Sequence, residues 1–125
     1  MFIFVFGSNK AGIHGAGAAQ TARLTFGAAP GVGEGRTGLA YAIPTKDENF
    51  NVLSLSHIGE SVHRFIEYAE FNPDLVFKVT QIGCGYAGYS PSDIAPLFTS
   101  APNNCWFDTN WSEFLPENAK FWGTA

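Results

Sequence analysis

Charge is scarce in this 125-residue sequence: Asp, Glu, Lys and Arg together make up 14%, against roughly 25% in an ordinary soluble domain. Seven Lys and Arg against eleven Asp and Glu leave a formal net charge of −4. That balance excludes a basic nucleic-acid arm, a charged coiled coil and a disordered tail. Cysteine is limited to Cys84 and Cys105. Their spacing matches no metal site, and both are expected to be reduced thiols. No apolar run approaches the roughly 20 residues that a membrane helix needs, and Met1 leads into Phe2-Ile3-Phe4-Val5-Phe6 without a basic leader. A cytoplasmic protein with no membrane partner is expected.

What is plentiful is apolar surface and glycine, at 46% hydrophobic residues and 14 glycines. A length near the usual domain size of about 100–150 residues predicts one domain over residues 1–125. Residues 2–6 have no polar interruption and suit a strand buried on both faces. Small residues from Gly15 to Phe26 predict a helix packed closely on a sheet. Residues 27–38 contain five glycines and Pro30, which predicts a loop without regular structure. A strand over 39–43 is expected to stop at Pro44.

Ile58, Val62, Phe65, Ile66 and Ala69 form one apolar stripe of a helix from Ser56, its expected cap, to Phe71. A strand over 75–82 follows, and Ser90-Pro91-Ser92-Asp93 has the pattern of a helix start with a capping acid. A last strand is expected at 104–107, and the Trp-rich end after Asp108 carries no clear pattern. Strands alternating with helices imply an α/β sheet with parallel crossovers and helices on both faces, a compact three-layer arrangement.

In such sheets ligands bind beyond the carboxyl ends of the strands. Three of those ends carry unusual loops: residues 7–17, Pro44-Thr45-Lys46-Asp47, and residues 83–88. Glycine-rich turns present backbone N–H groups without side-chain obstruction, as phosphate binding requires. Two of them on one rim suggest a diphosphate, and Gly7, Gly12, Gly15 and Gly17 with Gly83, Gly85 and Gly88 would supply them. Neither a complete dinucleotide fingerprint nor a P-loop is present. Tight turns and close helix–sheet packing explain the same glycines equally well.

Ser8-Asn9 followed by His14-Gly15-Ala16-Gly17-Ala18-Ala19 resembles the first ligand loop of macrodomains, and Ile82-Gly83-Cys84-Gly85-Tyr86-Ala87-Gly88-Tyr89 resembles their second, diphosphate-holding loop. Ile43-Pro44-Thr45-Lys46 and Ile82-Gly83-Cys84-Gly85 are more similar to the branch of DarG-type DNA ADP-ribosyl glycohydrolases and terminal ADP-ribose glycohydrolases, and to small phage macrodomain-like proteins. The resemblance spans about residues 2–98. It implies a macrodomain-like sheet and binding of ADP-ribose or a related nucleotide through Ser8, Gly15, Ala16, Gly17 and the loop Gly83, Cys84, Gly85, Tyr86, Ala87, Gly88, Tyr89.

By the same motif match, Lys46 would attack the anomeric carbon of the distal ribose of an ADP-ribosyl adduct, and Asn9 would fix that ribose. The attack needs a neutral amine, which a site supplies by desolvation or a neighbouring cation. No cofactor is implied. The alternative is a non-catalytic module or nucleotide sponge using the same loops. Macrodomains usually carry an earlier strand whose Asp recognises adenine, and this chain begins at the following strand. Ala87 stands where some lysine-dependent relatives have Asp. Unmodified nucleic acid is not an expected partner at net charge −4.

Several residues have two readings. Lys46 is either the nucleophile or an exposed loop lysine paired with Asp47. Asn9 either contacts ligand or stabilises its own turn. His14 is a phosphate donor or general acid, or a structural imidazole. A Cys84 nucleophile would need His57 or His63, which lie on the helix away from the loop. Tyr86 and Tyr89 stack on ligand or cover the loop. Arg36 either touches phosphate or is solvated.

Overall fold

The computed structural model describes residues 1–125. Six strands form one mixed sheet in the order β2-β3-β1-β4-β5-β6. The strands are β1 (Phe2–Asn9), β2 (Gly35–Thr37), β3 (Ala40–Lys46), β4 (Val76–Val79), β5 (Cys105–Asp108) and β6 (Lys120–Gly123). Only β2 runs antiparallel, against β3, and all other pairings are parallel. The helices are α1 (Gly17–Thr25), α2 (Leu55–Phe71) and α3 (Pro91–Ile94), with 3₁₀ segments at Ala95–Phe98 and Thr109–Phe114.

Alternation along β1 assigns the two faces. Ile3 and Val5 point to the larger core, where Ile58, Val62 and Phe65 of α2 meet Phe77, Phe98, Phe107 and Trp111. Phe4 and Phe6 point the other way, to Ala22 of α1 and to Ala40 and Ala42 of β3. Alanines along α1 let the helix approach the sheet closely, and stacked Phe4 and Phe26 rings, 4.6 Å apart, fill the remaining space.

The α/β class with helices on both faces is therefore as the sequence predicts, but the layers are unequal. Beyond α1, the same face over β4–β6 is covered by side chains rather than by a helix. Lys78 Nζ lies 4.0 Å from the Phe2 ring centroid and Lys120 Nζ 5.7 Å from that of Trp106. Their ammonium groups lie over the ring faces, where a cation is attracted electrostatically.

Several boundaries differ from the sequence expectation. The loop at 27–38 contains β2, whose three residues pair with Ala40–Ala42 of β3. So short a strand has no periodicity to read, and long-range pairing creates it. Strand β3 passes through Pro44 to Lys46, because β2 stops pairing at Ala42 and the absent N–H forfeits no bond to it. Ser54, not Ser56, caps α2, its side chain accepting from the N–H of His57. Strand β4 ends at Val79, and Thr80 turns its hydroxyl to the Val5 carbonyl at 2.8 Å. At α3 the capping acid acts as expected, with Asp93 accepting from Ser90 N–H at 3.1 Å. No helix is long and apolar enough to cross a membrane.

Candidate functional site

The carboxyl ends of β1, β3 and β4 open into a cleft of about 870 Å³. It is lined by Ser8, Asn9, Gly15, Ala16 and Gly17 from the first loop, Lys46 from β3, and Gly83, Cys84, Gly85, Tyr86 and Ala87 from the second. The three strand-end loops thus converge on one rim, the placement expected for a parallel crossover sheet. Gly88 and Tyr89 lie outside the cleft walls, contrary to the expectation for them. The Tyr89 hydroxyl donates to the Leu53 carbonyl at 2.6 Å and its N–H to the Gly83 carbonyl at 2.9 Å. Tyr89 closes the loop and anchors it ahead of α2.

Backbone N–H groups without a partner in the chain occur on two of the lining loops. The amides of Gly85, Tyr86 and Ala87 donate to no carbonyl of the chain. Helix α1 starts at Gly17 with Ala16 as its cap residue, which offers no side-chain acceptor, so the first-turn amides are also free. Lys46 is the only charged side chain among the lining residues. Free amides, a helix N-terminus and one ammonium make the cleft favourable to an anion.

The glycines divide by role. Gly15 and Gly85 face open space. Gly12, at φ +71°, is packed so closely that a Cβ there would stand 2.3 Å from the Gly31 carbonyl carbon. It holds the first loop against the 27–38 loop instead of lining the cleft. Gly7 lies inside β1.

The polar side chains at the rim are largely engaged. Asn9 Nδ2 donates to the Ile13 carbonyl at 2.8 Å and its Oδ1 accepts from Ile13 N–H at 3.1 Å. Asn9 therefore closes its own turn, retaining one amide hydrogen for another acceptor. The Ser8 hydroxyl donates to the Gly33 carbonyl. Asp47 does not pair with Lys46. Its carboxylate accepts from Asn49 N–H at 2.8 Å, Asn51 N–H at 3.0 Å and Asn51 Nδ2 at 3.4 Å. These bonds, the Asn51 amide foremost, hold its pKa below the usual carboxylate range. The Lys46 ammonium lies 5.9 Å from the Tyr86 ring centroid.

His14 and Arg36 lie away from the cleft. His14 is buried, edge-on to Phe6 at 5.2 Å between centroids, and both ring nitrogens lack partners. Arg36 donates to the Gly38 carbonyl at 3.1 Å and to the Tyr68 hydroxyl at 3.3 Å. Cys84 lines the cleft, but burial pushes its thiol up, outweighing the nearby Trp111 indole N–H, which lowers it. His57 is bonded to Ser54 and His63 to Glu67, so no imidazole serves the thiol.

Sequence reasoning missed Phe50. It lines the cleft from the turn after β3 and has φ 65°, the one non-glycine residue with positive φ. The turn-forming residues Asp47, Asn49 and Asn51 around it were the available signal. Comparisons with protein-family models, with curated proteins and with solved structures found no match to this chain.

Proposed function

We propose that this protein binds ADP-ribose or a related ADP-ribosyl nucleotide in the cleft at the ends of β1, β3 and β4. One observation carries the reading: two segments whose backbone N–H groups have no partner in the chain line a cleft whose only charged side chain is a lysine. A diphosphate satisfies both segments at once, and Lys46 supplies the countercharge. The macrodomain-like order of Ser8-Asn9, Pro44-Thr45-Lys46 and Gly83-Cys84-Gly85 supports the same ligand class. Unmodified nucleic acid is disfavoured, because a net charge of −4 opposes a phosphate backbone.

Titration calorimetry with free ADP-ribose tests the reading. Saturable 1:1 binding is expected; absence of both heat and thermal shift at millimolar ligand discards it.

A second reading, hydrolysis of an ADP-ribosyl adduct through Lys46, is favoured by one observation: Asp47 is occupied by Asn49 and Asn51, leaving the lysine without a carboxylate partner. In that reaction the neutral amine attacks C1″, the bond to the attached group breaks with its electron pair, and water later releases the sugar from the lysine. Wild type and Lys46→Ala are compared on ADP-ribosylated DNA, protein and small-molecule adducts. Activity lost in the variant assigns the lysine to catalysis; equal activity removes it. Binding without turnover by either protein leaves a sequestering module.

A further inference from the structure

We propose that Phe50 and Tyr86 form an apolar receptacle for a flat heteroaromatic ring carried by the nucleotide, and that the ring is gripped by its face rather than read at its edge. This rests on the nucleotide reading above and extends it to the specificity of the site.

Large apolar side chains stand open in the cleft on all three strand-end loops: Ile13 after β1 at 57% exposure, Phe50 after β3 at 48% and Tyr86 after β4 at 77%. Neither Phe50 nor Tyr86 belongs to either buried core cluster, so core packing does not account for their positions. Two exposed rings lining the same cleft as the free amides and the lysine supply what a purely anionic ligand does not need.

The backbone at Phe50 adds a separate argument. A bulky residue at φ 65° is strained, and glycine or asparagine would occupy that position at lower cost. The strain is fixed by a dense local network. Asp47 accepts from Asn49 and Asn51, Phe50 N–H donates to the Asp47 carbonyl at 3.1 Å, and Lys46 bridges Val52 across the turn. The turn presents an aromatic ring to the cleft four residues beyond the one lysine. Asp47 thus acts as a positioning residue for Phe50.

The lining also says how the ring is recognised. It contains no Asp or Glu side chain, so the only side-chain acceptors for an exocyclic amino group are neutral oxygens such as those of Gln20 and Gln81. Stacking tolerates different bases because every heteroaromatic ring has a face. Discrimination among bases is therefore weak, while a ring-free phosphate loses this part of the site altogether.

The experiment measures affinity by titration calorimetry for wild type, Phe50→Ala and Phe50→Gly, each against ADP-ribose, NAD and inorganic pyrophosphate. Phe50→Gly guards against misfolding, because glycine relaxes the left-handed backbone and its thermal midpoint is expected to equal or exceed that of wild type. Both variants are expected to bind ring-bearing ligands about tenfold more weakly, relative to their effect on pyrophosphate. A loss confined to NAD places the nicotinamide ring on Phe50; equal losses on NAD and ADP-ribose place adenine there. Unchanged affinity for both nucleotides, or an equal loss on pyrophosphate, overturns the receptacle and leaves the nucleotide site standing. No binding of any ligand by wild type overturns the nucleotide reading and the receptacle with it.

Discussion

Lys46 and Tyr86 face each other across the rim, with the ammonium 5.9 Å from the ring centroid. A cation at that distance is drawn to the face of the ring, yet it remains free to meet a phosphate because no carboxylate holds it. Lys46→Ala is expected to weaken ADP-ribose binding about tenfold or more, the usual consequence of losing a charged hydrogen-bond partner. Titration at 50 and 300 mM salt separates a charge effect from lost packing: the wild-type affinity falls with salt, and that of the variant falls less. An equal salt response in both proteins removes Lys46 from ligand contact.

The glycines provide a sharper contrast, since those at the open rim and those in the packed joint make opposite predictions. Gly15→Ala and Gly85→Ala add a methyl into open space at ordinary φ. Their thermal midpoints are expected within about 2 °C of wild type, while the methyl obstructs a ligand lying on the backbone and costs at least about tenfold in affinity. Gly12→Ala forces a Cβ to 2.3 Å from the backbone of Gly31 at φ +71°. It is expected to destabilise by about 3 kcal/mol or more, read by denaturant unfolding. Unaltered ligand affinity in both rim variants refutes the amide cradle.

Much of this arrangement was legible in the sequence because its signals are local. The unbroken apolar run of β1 and the stripe Ile58, Val62, Phe65, Ile66, Ala69 are buried as their periodicity predicts. The glycines around 15–17 and 83–85 marked two strand-end loops, and the fold brings both to one cleft. What was not legible depends on distant partners. Strand β2 exists through β3, Tyr89 points to Leu53 thirty-six residues away, and Gly12 serves Gly31 rather than a ligand. Phe50 escaped because its role depends on a left-handed turn that its residue type disfavours.

Removing the His14 imidazole is expected to help the fold. It is buried with both ring nitrogens unpartnered, so the native state bears the desolvation of a polar ring without a compensating bond. His14→Leu fills a similar space with apolar atoms. An increase of about 1–2 kcal/mol in unfolding free energy is expected, with ligand affinity preserved because His14 does not line the cleft. A lower thermal midpoint in the variant, or lost binding, shows that the imidazole does more than fill space.

The thiols are expected to be sluggish. Burial drives Cys105 up to about 12 and also raises Cys84, so the thiolate fraction at neutral pH is small. Iodoacetamide at pH 7.5 is expected to label both more slowly than free cysteine, with full labelling on unfolding. Rapid modification of Cys84 in the native protein contradicts this and revives a nucleophilic role for it.

Acid is expected to loosen the joint between the glycine-rich loop and α2. Arg64 grips Glu34 with two bonds, Nε to Oε2 at 2.6 Å and Nη2 to Oε1 at 3.0 Å, while the Ser61 hydroxyl donates to Oε1 at 3.1 Å. The guanidinium hydrogen bond holds the Glu34 carboxyl below the usual glutamate range, more than offsetting its partial burial. A carboxyl more acidic in the folded than in the unfolded chain stabilises the fold above the unfolded value, about 4.3. That stabilisation is lost as pH falls through the folded value. With the pair partly exposed, about 0.5–1 kcal/mol is at stake. Thermal unfolding of wild type and Glu34→Gln from pH 7 downward reads the difference directly: the variant is less stable at pH 7, and the gap narrows as pH falls below the unfolded value and through the lower folded one. A gap that stays unchanged as pH falls until both proteins unfold in acid means that Glu34 acts through its shape and not its charge, because protonation of the wild-type carboxyl removes the charge difference between the two.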